Sequence, residues 1–149
     1  MTSLTEPIRA GEIKKGMIVI LKDKPCKVIE ITTSKTGKHG HAKASITGID
    51  IFTGKKYQDV SPTSHNMTKP VVENKMYILC DITDDGYTSL MDNDTSEIIE
   101  HIKLPGENCA DSQLGRNIQE KYENNKELQV TVTSAMGKEE ITQFNELNH

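Results

Sequence analysis

The stretch Ala42-Lys43-Ala44-Ser45-Ile46-Thr47-Gly48-Ile49-Asp50-Ile51-Phe52, with Thr53-Gly54-Lys55 and Lys56-Tyr57-Gln58-Asp59-Val60 after it, decides the fold class. Its residues alternate loosely. Ala44, Ile46, Gly48 and Asp50 fall on one side, and Ser45, Thr47, Ile49 and Ile51 on the other, which is the period of a strand and not of a helix. Thr53-Gly54-Lys55 then reads as the turn into a second strand. Upstream, Met17-Ile18-Val19-Ile20-Leu21 is an apolar run closed by Lys22-Asp23-Lys24-Pro25, and Cys26-Lys27-Val28-Ile29-Glu30-Ile31 has β-branched character. Short strands at this spacing, without a convincing helix, indicate a small all-β barrel.

The second half repeats the theme. Strands are expected at residues 75–82, 87–91, 96–102 and 128–133, with Asp84-Asp85-Gly86 as a hairpin turn. One helix interrupts them: Leu114, Ile118 and Tyr122 recur on one face behind Asp111 or Ser112 as a cap. Gly115 weakens that helix, so packing must support it. Residues 138–147 are expected to form a short terminal helix or to fray. Strands, one helix and a final strand fit a five-stranded Greek-key barrel of the OB kind. Residues 66–70, ending in Pro70, read as the link between the halves.

Charge divides the chain at the same place. Its 149 residues carry a net charge of −4, but residues 1–69 hold twelve Lys and Arg against six Asp and Glu, a net of +6, whereas residues 70–149 hold six against sixteen, a net of −10. We therefore expect a basic domain at 1–69 and an acidic one at 70–149, the first suited to phosphates and the second repelled by them. No apolar run approaches the ~20 residues that span a bilayer, and the N-terminus lacks a secretory signal. Cys26, Cys80 and Cys109 are too few and too scattered for a disulfide framework. Together these point to a cytoplasmic protein without a membrane partner.

Between Ile31 and Ala42 lies Thr32-Thr33-Ser34-Lys35-Thr36-Gly37-Lys38-His39-Gly40-His41, a stretch with no apolar side chain. It is longer than a hairpin needs, cationic through Lys35, Lys38 and the following Lys43, and freed by two glycines. Such a loop projects and tends to carry function. It is not a phosphate-gripping P-loop, because Thr32 occupies the first glycine position and His39 follows Gly37-Lys38; Gly54-Lys55 fails similarly. His39, His41 and His65 lack the cysteines or carboxylates to complete a metal shell, and Ser64-His65 lacks a nucleophile-elbow turn. With no paired carboxylates, triad or metal cluster, an enzyme is disfavoured. The residues alone leave a solvated basic turn and a nucleic-acid-binding loop as alternatives.

Ser34-Lys35-Thr36-Gly37-Lys38-His39-Gly40-His41-Ala42-Lys43, followed by residues 48–57, resembles the signature of the eukaryotic initiation factor 5A family. Residues 61–67, the helix around residues 115–122 and Thr133-Ser134-Ala135-Met136 extend the resemblance over nearly the whole chain. Ser61, the stretch Ala44-Ser45-Ile46-Thr47 and residues 106–112 depart from better-known members. The resemblance implies an SH3-like barrel followed by an OB fold. It also implies that Lys38 becomes hypusine. Deoxyhypusine synthase would add an aminobutyl group from spermidine and deoxyhypusine hydroxylase would hydroxylate the product, so that Lys38 is a substrate and no cofactor is bound.

It further implies a translation factor that binds the ribosome beside peptidyl-tRNA and ribosomal RNA, relieving stalls in elongation and assisting termination. Lys35, Thr36, Gly37, His39, Gly40, His41 and Lys43 would then contact tRNA or ribosome around Lys38, with Lys55 and Lys56 as further contacts to the RNA backbone. The cations around Lys38 would favour its deprotonated, nucleophilic amine. The chief rival is a general RNA or single-stranded nucleic-acid-binding OB protein. Such a protein would have only Tyr77 and Tyr87 for stacking on a strongly acidic half.

Overall fold

The computed structural model describes residues 5–35 and 42–147, and their contacts divide the chain into two compact units, Met1–Val71 and Val72–His149.

The first unit is built on a four-stranded antiparallel sheet of β2 (Ile18–Leu21), β3 (Lys24–Lys35), β4 (Ala42–Asp50) and β5 (Lys56–Pro62), in that order. Two further strands, β1 (Thr5–Arg9) and β6 (Asn66–Pro70), pair with each other. Residues 66–70 are therefore a strand and not a link. The sequence hid this because β1 and β6 are mostly exposed or half-buried and lack apolar alternation; backbone hydrogen bonds between the two segments order them instead. A single 3₁₀ turn, Ala10–Glu12, follows β1.

Burial on β4 alternates as the sequence indicates, with Ala44, Ile46, Gly48 and Asp50 inward. Val19, Leu21, Cys26, Val28 and Ile46 form the core with Ala10, Ile13 and Ala44. At Gly48 an added Cβ would lie 2.9 Å from Cys26 Cβ and 3.0 Å from a Leu21 methyl. Only glycine lets three strands close this tightly.

The second unit holds a five-stranded antiparallel sheet in the order β11-β10-β7-β8-β9, with β7 at Glu73–Ile82, β8 at Thr88–Asp92, β9 at Ile98–Ile99, β10 at Leu128–Ala135 and β11 at Lys138–Glu146. The helix α1 (Leu114–Glu123) stands between the third and fourth strands. This is the OB arrangement. Leu79, Leu90, Ile102, Leu114, Ile118, Leu128, Val130, Val132 and Ile141 fill its core.

The expected helix is present, and Gly115 is required in it. A Cβ there would sit 2.0 Å from the carbonyl oxygen of Pro105, so the glycine that costs helix propensity permits the packing that replaces it. The cap position is Gln113 and not Asp111 or Ser112, and it makes no side-chain cap bond; Asp111, two residues before it, accepts from Gln113 N–H through its carboxylate at 3.0 Å and from Leu114 N–H through its carbonyl at 3.1 Å. The third strand is shorter than residues 96–102 suggested.

The tail corrects the sequence reading. Residues 138–146 form β11, turned back by Met136 and Gly137, both with positive φ. This is a two-residue turn suited to the twist of a hairpin. Ile141 and Phe144 are three apart, a helical spacing. In the sheet they oppose Val132 and Val130 respectively, because the register shifts at Thr131/Val132 and leaves Thr142 as an extra residue. The bulge returns both side chains to the core face.

Candidate functional site

The β3–β4 hairpin carries the residues singled out from the sequence. Its ladder continues beyond the core: Val28 is the last buried residue of β3, and Thr32, Thr33, Ser34 and Lys35 are all exposed. These four are nonetheless strand residues, paired with Ser45, Ala44, Lys43 and Ala42. The expected ten-residue connection is therefore shorter than read, because ladder hydrogen bonds need no apolar side chain. Lys35↔Ala42 is the last described rung. Thr36, Gly37, Lys38, His39, Gly40 and His41 lie outside the described residues, and so does the expected influence of neighbouring cations on Lys38.

Lys35 and Lys43 are both exposed but do not share a face. Lys43 opposes Ser34, whereas Lys35 opposes Ala42 on the next rung, and successive rungs present opposite faces. They flank the arm from two sides, with a cation available on each. Lys55 and Lys56 are brought nowhere near this end. Lys56 pairs with Ile49, six residues along β4 from Lys43, which is about 20 Å at the rise of a strand.

A neighbour that sequence reasoning did not identify braces the outermost described rung of the arm, at Ala42. The segment after β5 donates Thr63 N–H to Ala42 C=O at 2.9 Å, while Thr63 and His65 accept through their carbonyls from Gly11 N–H (3.0 Å) and Ala10 N–H (2.9 Å). The 3₁₀ turn, the 62–65 segment and the base of β4 are thereby tied together. An added Cβ at Gly11 would lie 3.1 Å from Thr63 Cβ, so this contact is close as well. The local signal was a Ser-Pro-Thr-Ser turn with no apolar content, legible as a turn but not as a brace. Ser64 and His65 are exposed, and no group of three or more potential metal ligands occurs among the described residues.

The other titratable groups suit a scaffold. Burial, helped by the charge of Asp50, pushes the Cys26 thiol up to about 11, which leaves it protonated and unreactive. Asp50 itself is buried, its carboxylate accepting from Phe52 N–H at 2.9 Å. In the second unit Tyr77 belongs to the core, so it offers no free face for stacking a base. Tyr87 is 39% exposed, with the Lys103 ammonium 5.3 Å from its ring centre. A stacking platform of the single-strand-binding kind uses several such rings. No helix among the described residues is long and apolar enough to cross a membrane.

Known proteins agree with this division of the chain. Residues 3–65 match the family model described as "Translation initiation factor 5A-like, N-terminal", and residues 71–145 match "Eukaryotic elongation factor 5A hypusine, DNA-binding OB fold". The eukaryotic translation initiation factor 5A-1 of Saccharomyces cerevisiae is 44% identical over 145 residues, 97% of this chain and 88% of that protein. The Zea mays factor is 46% identical over 139 residues, covering 93% and 84%. A solved structure of a translation initiation factor eif-5a family protein from Naegleria fowleri superposes with a TM-score of 0.87 at 51% identity, covering 96% of this chain and 99% of that one. The eukaryotic translation initiation factor 5A structure from Methanococcus jannaschii gives 0.69 at 29% identity, covering 95% of each. With these relatives the first unit is an SH3-like barrel and the second an OB fold. The chain belongs to the eukaryotic translation initiation factor 5A family, a family of translation factors and not of enzymes.

Proposed function

We propose that Lys38 is the residue of this chain that carries hypusine, and that the modified side chain works on the ribosome by positioning peptidyl-tRNA. The observation that carries the reading is the match of residues 34–43 to the family signature, in a chain whose family model names hypusine. Its setting supports the reading: a hairpin arm that leaves the core, cations on both of its faces, and a brace of backbone hydrogen bonds at its outermost described rung. In this account spermidine supplies the added group, deoxyhypusine synthase and deoxyhypusine hydroxylase act on Lys38, and no cofactor is bound. The basic domain at 1–69 reaches toward RNA and the acidic domain at 70–149 does not. The site of action is the cytoplasm, where ribosomes translate.

The chemistry follows from the groups. Hypusine lengthens the reach of lysine and adds a second amine and a hydroxyl, giving charge together with directional hydrogen bonds for phosphate and ribose. Holding the acceptor end of the tRNA in place accelerates peptide-bond formation through orientation and leaves the reaction itself to the ribosome. The result is passage through stalled sequences and help at termination. Thr36, Gly37, His39, Gly40, His41, Lys35 and Lys43 would line this contact. Lys55 and Lys56, ~20 Å away along β4, would form a separate contact with an RNA backbone.

Peptide mapping of protein purified from its own cells tests the modification. A spermidine-derived mass on Lys38 is expected, and full occupancy by plain lysine would refute it. In cells depleted of their own factor, Lys38→Arg keeps the cation but is no substrate for the synthase. It is expected to fold normally and to fail to restore growth or translation of stalling sequences.

A further inference from the structure

The five-stranded sheet of the second unit has two faces, and the core accounts for one. On the other, the pairing register places Ile78, Met91 and Ile98 opposite one another in a single row across β7, β8 and β9, with Met76 two residues from Ile78 along β7. None of the four belongs to the core cluster or packs against it. Met76 is 56% and Ile98 53% exposed, and Ile78 and Met91 between them are half-buried. Single exposed apolar residues are ordinary. A contiguous row, with cross-strand neighbours about 5 Å apart, marks a surface that something covers.

The rim identifies the kind of partner. Glu100 lies two residues beyond Ile98, on the same side by strand alternation, and Asp94 lies in the turn before β9, both exposed; Glu97 and Glu73, exposed as well, fall on the other side of the sheet. Lys75, beside Met76 in β7, is engaged by the Asp92 carboxylate at 2.8 Å. Residues 70–149 as a whole carry a net charge of −10. A phosphate backbone or an anionic lipid surface meets repulsion here, and a second copy would bring two such acidic units together. We infer that the row Met76, Ile78, Met91 and Ile98 is a docking face for a cationic amphipathic segment of a partner protein. Its apolar side chains would lie on the row and its Lys or Arg side chains against the carboxylates. This face lies wholly in the second unit, so the inference does not depend on the modification of Lys38, and its test needs neither ribosomes nor hypusine.

Amide NMR of the full chain would be followed during titration with three probes: a Leu/Lys amphipathic peptide of about 18 residues, about five helical turns; polylysine of the same length; and a short RNA duplex. The amphipathic peptide is expected to shift the signals of residues 76, 78, 91 and 98, and to bind at least about tenfold more tightly than polylysine. Ile98→Asp and Met76→Asp, both at exposed positions, should each abolish most of that difference while leaving the remaining spectrum in place. Equal binding of the two peptides, shifts at this face with RNA, or a concentration-dependent broadening of these same signals in the free chain would each overturn the proposal.

Discussion

Each unit closes one hairpin with the same set of hydrogen bonds, although the two turns share little sequence. In the β4–β5 turn, Asp50 N–H donates to Lys55 C=O at 2.8 Å, Gly54 N–H donates to Asp50 C=O at 2.9 Å, and the Asp50 carboxylate accepts from Phe52 and Thr53 N–H at 2.9 and 3.4 Å. In the β8–β9 turn, Asp92, Glu97, Ser96, Asp94 and Thr95 repeat this with distances of 2.8, 2.8, 2.9 and 3.4 Å. Thr53 and Thr95 hydroxyls accept from Lys55 and Glu97 N–H, completing the likeness. The difference is at the left-handed position, which Gly54 fills in one unit (φ 77°) and Ser96 in the other (φ 63°). The same backbone shape is thus announced by a glycine in one unit and concealed by a serine in the other. What makes the turn is the aspartate, whose oxygen replaces a backbone acceptor.

The units also share a close approach filled by glycine, and substitution there should separate them most. Gly115→Ala would drive a methyl group into a backbone carbonyl and should cost about 3 kcal/mol or more. Gly48→Ala would press on Cys26 Cβ at 2.9 Å, a Leu21 methyl at 3.0 Å and the Lys27 carbonyl oxygen at 3.1 Å, a less severe overlap, and about 1–3 kcal/mol is expected. Urea denaturation read by residue-resolved hydrogen exchange in each unit would rank them. A smaller loss for Gly115→Ala would show that the 104–106 segment yields easily.

Asp50→Ala removes a buried acceptor from two N–H groups and should cost about 1–3 kcal/mol, read by the same denaturation. The matching aspartate differs in having an ion pair. Lys75 beside Asp92, together with the N–H of Asp94, holds that carboxyl below the usual carboxylate range. A depressed carboxyl contributes stability above its unfolded value and loses it as pH falls through the folded one. Lys75→Gln should therefore lower the stability of the second unit at neutral pH, and its gap from the parent chain should shrink below about pH 4. A gap unchanged into acid would remove the ion pair from the account.

The smallest effect tests the turn itself. Ser96→Gly relieves a left-handed L-residue and should stabilise the second unit by about 0.5–1 kcal/mol, and Gly54→Ser should destabilise the first by a similar amount. Melting curves would measure both, and no change in either would mean that the shared hydrogen bonds outweigh the backbone preference.

The described part of the candidate site was legible in the same uneven way, while residues 36–41 lie outside it. Lys35 and Lys43 are exposed on the hairpin arm, but that they face opposite sides has no local signal, because it depends on which residues pair across β3 and β4. Lys55 and Lys56, expected as further contacts to an RNA backbone, lie at the other end of β4 from Lys43, a separation that only the β4–β5 pairing decides. The brace from Thr63 and His65 uses backbone atoms only, so no side chain could announce it.

The strand character of both halves, the helix on Leu114, Ile118 and Tyr122, and the opposition of a +6 segment to a −10 segment can all be read along the chain. These are properties of local periodicity and of charge, which need no partner to be read. Tertiary pairing decided where that periodicity breaks. Val28 and Ile31, Leu79 and Ile82, and Ile141 and Phe144 are each three residues apart, and each pair faces a core because an extra residue, Ile29, Cys80 or Thr142, is bulged out between its members. A spacing of three is a helical signal along the chain. It becomes a strand signal only when the neighbouring strand fixes which residue is left unpaired.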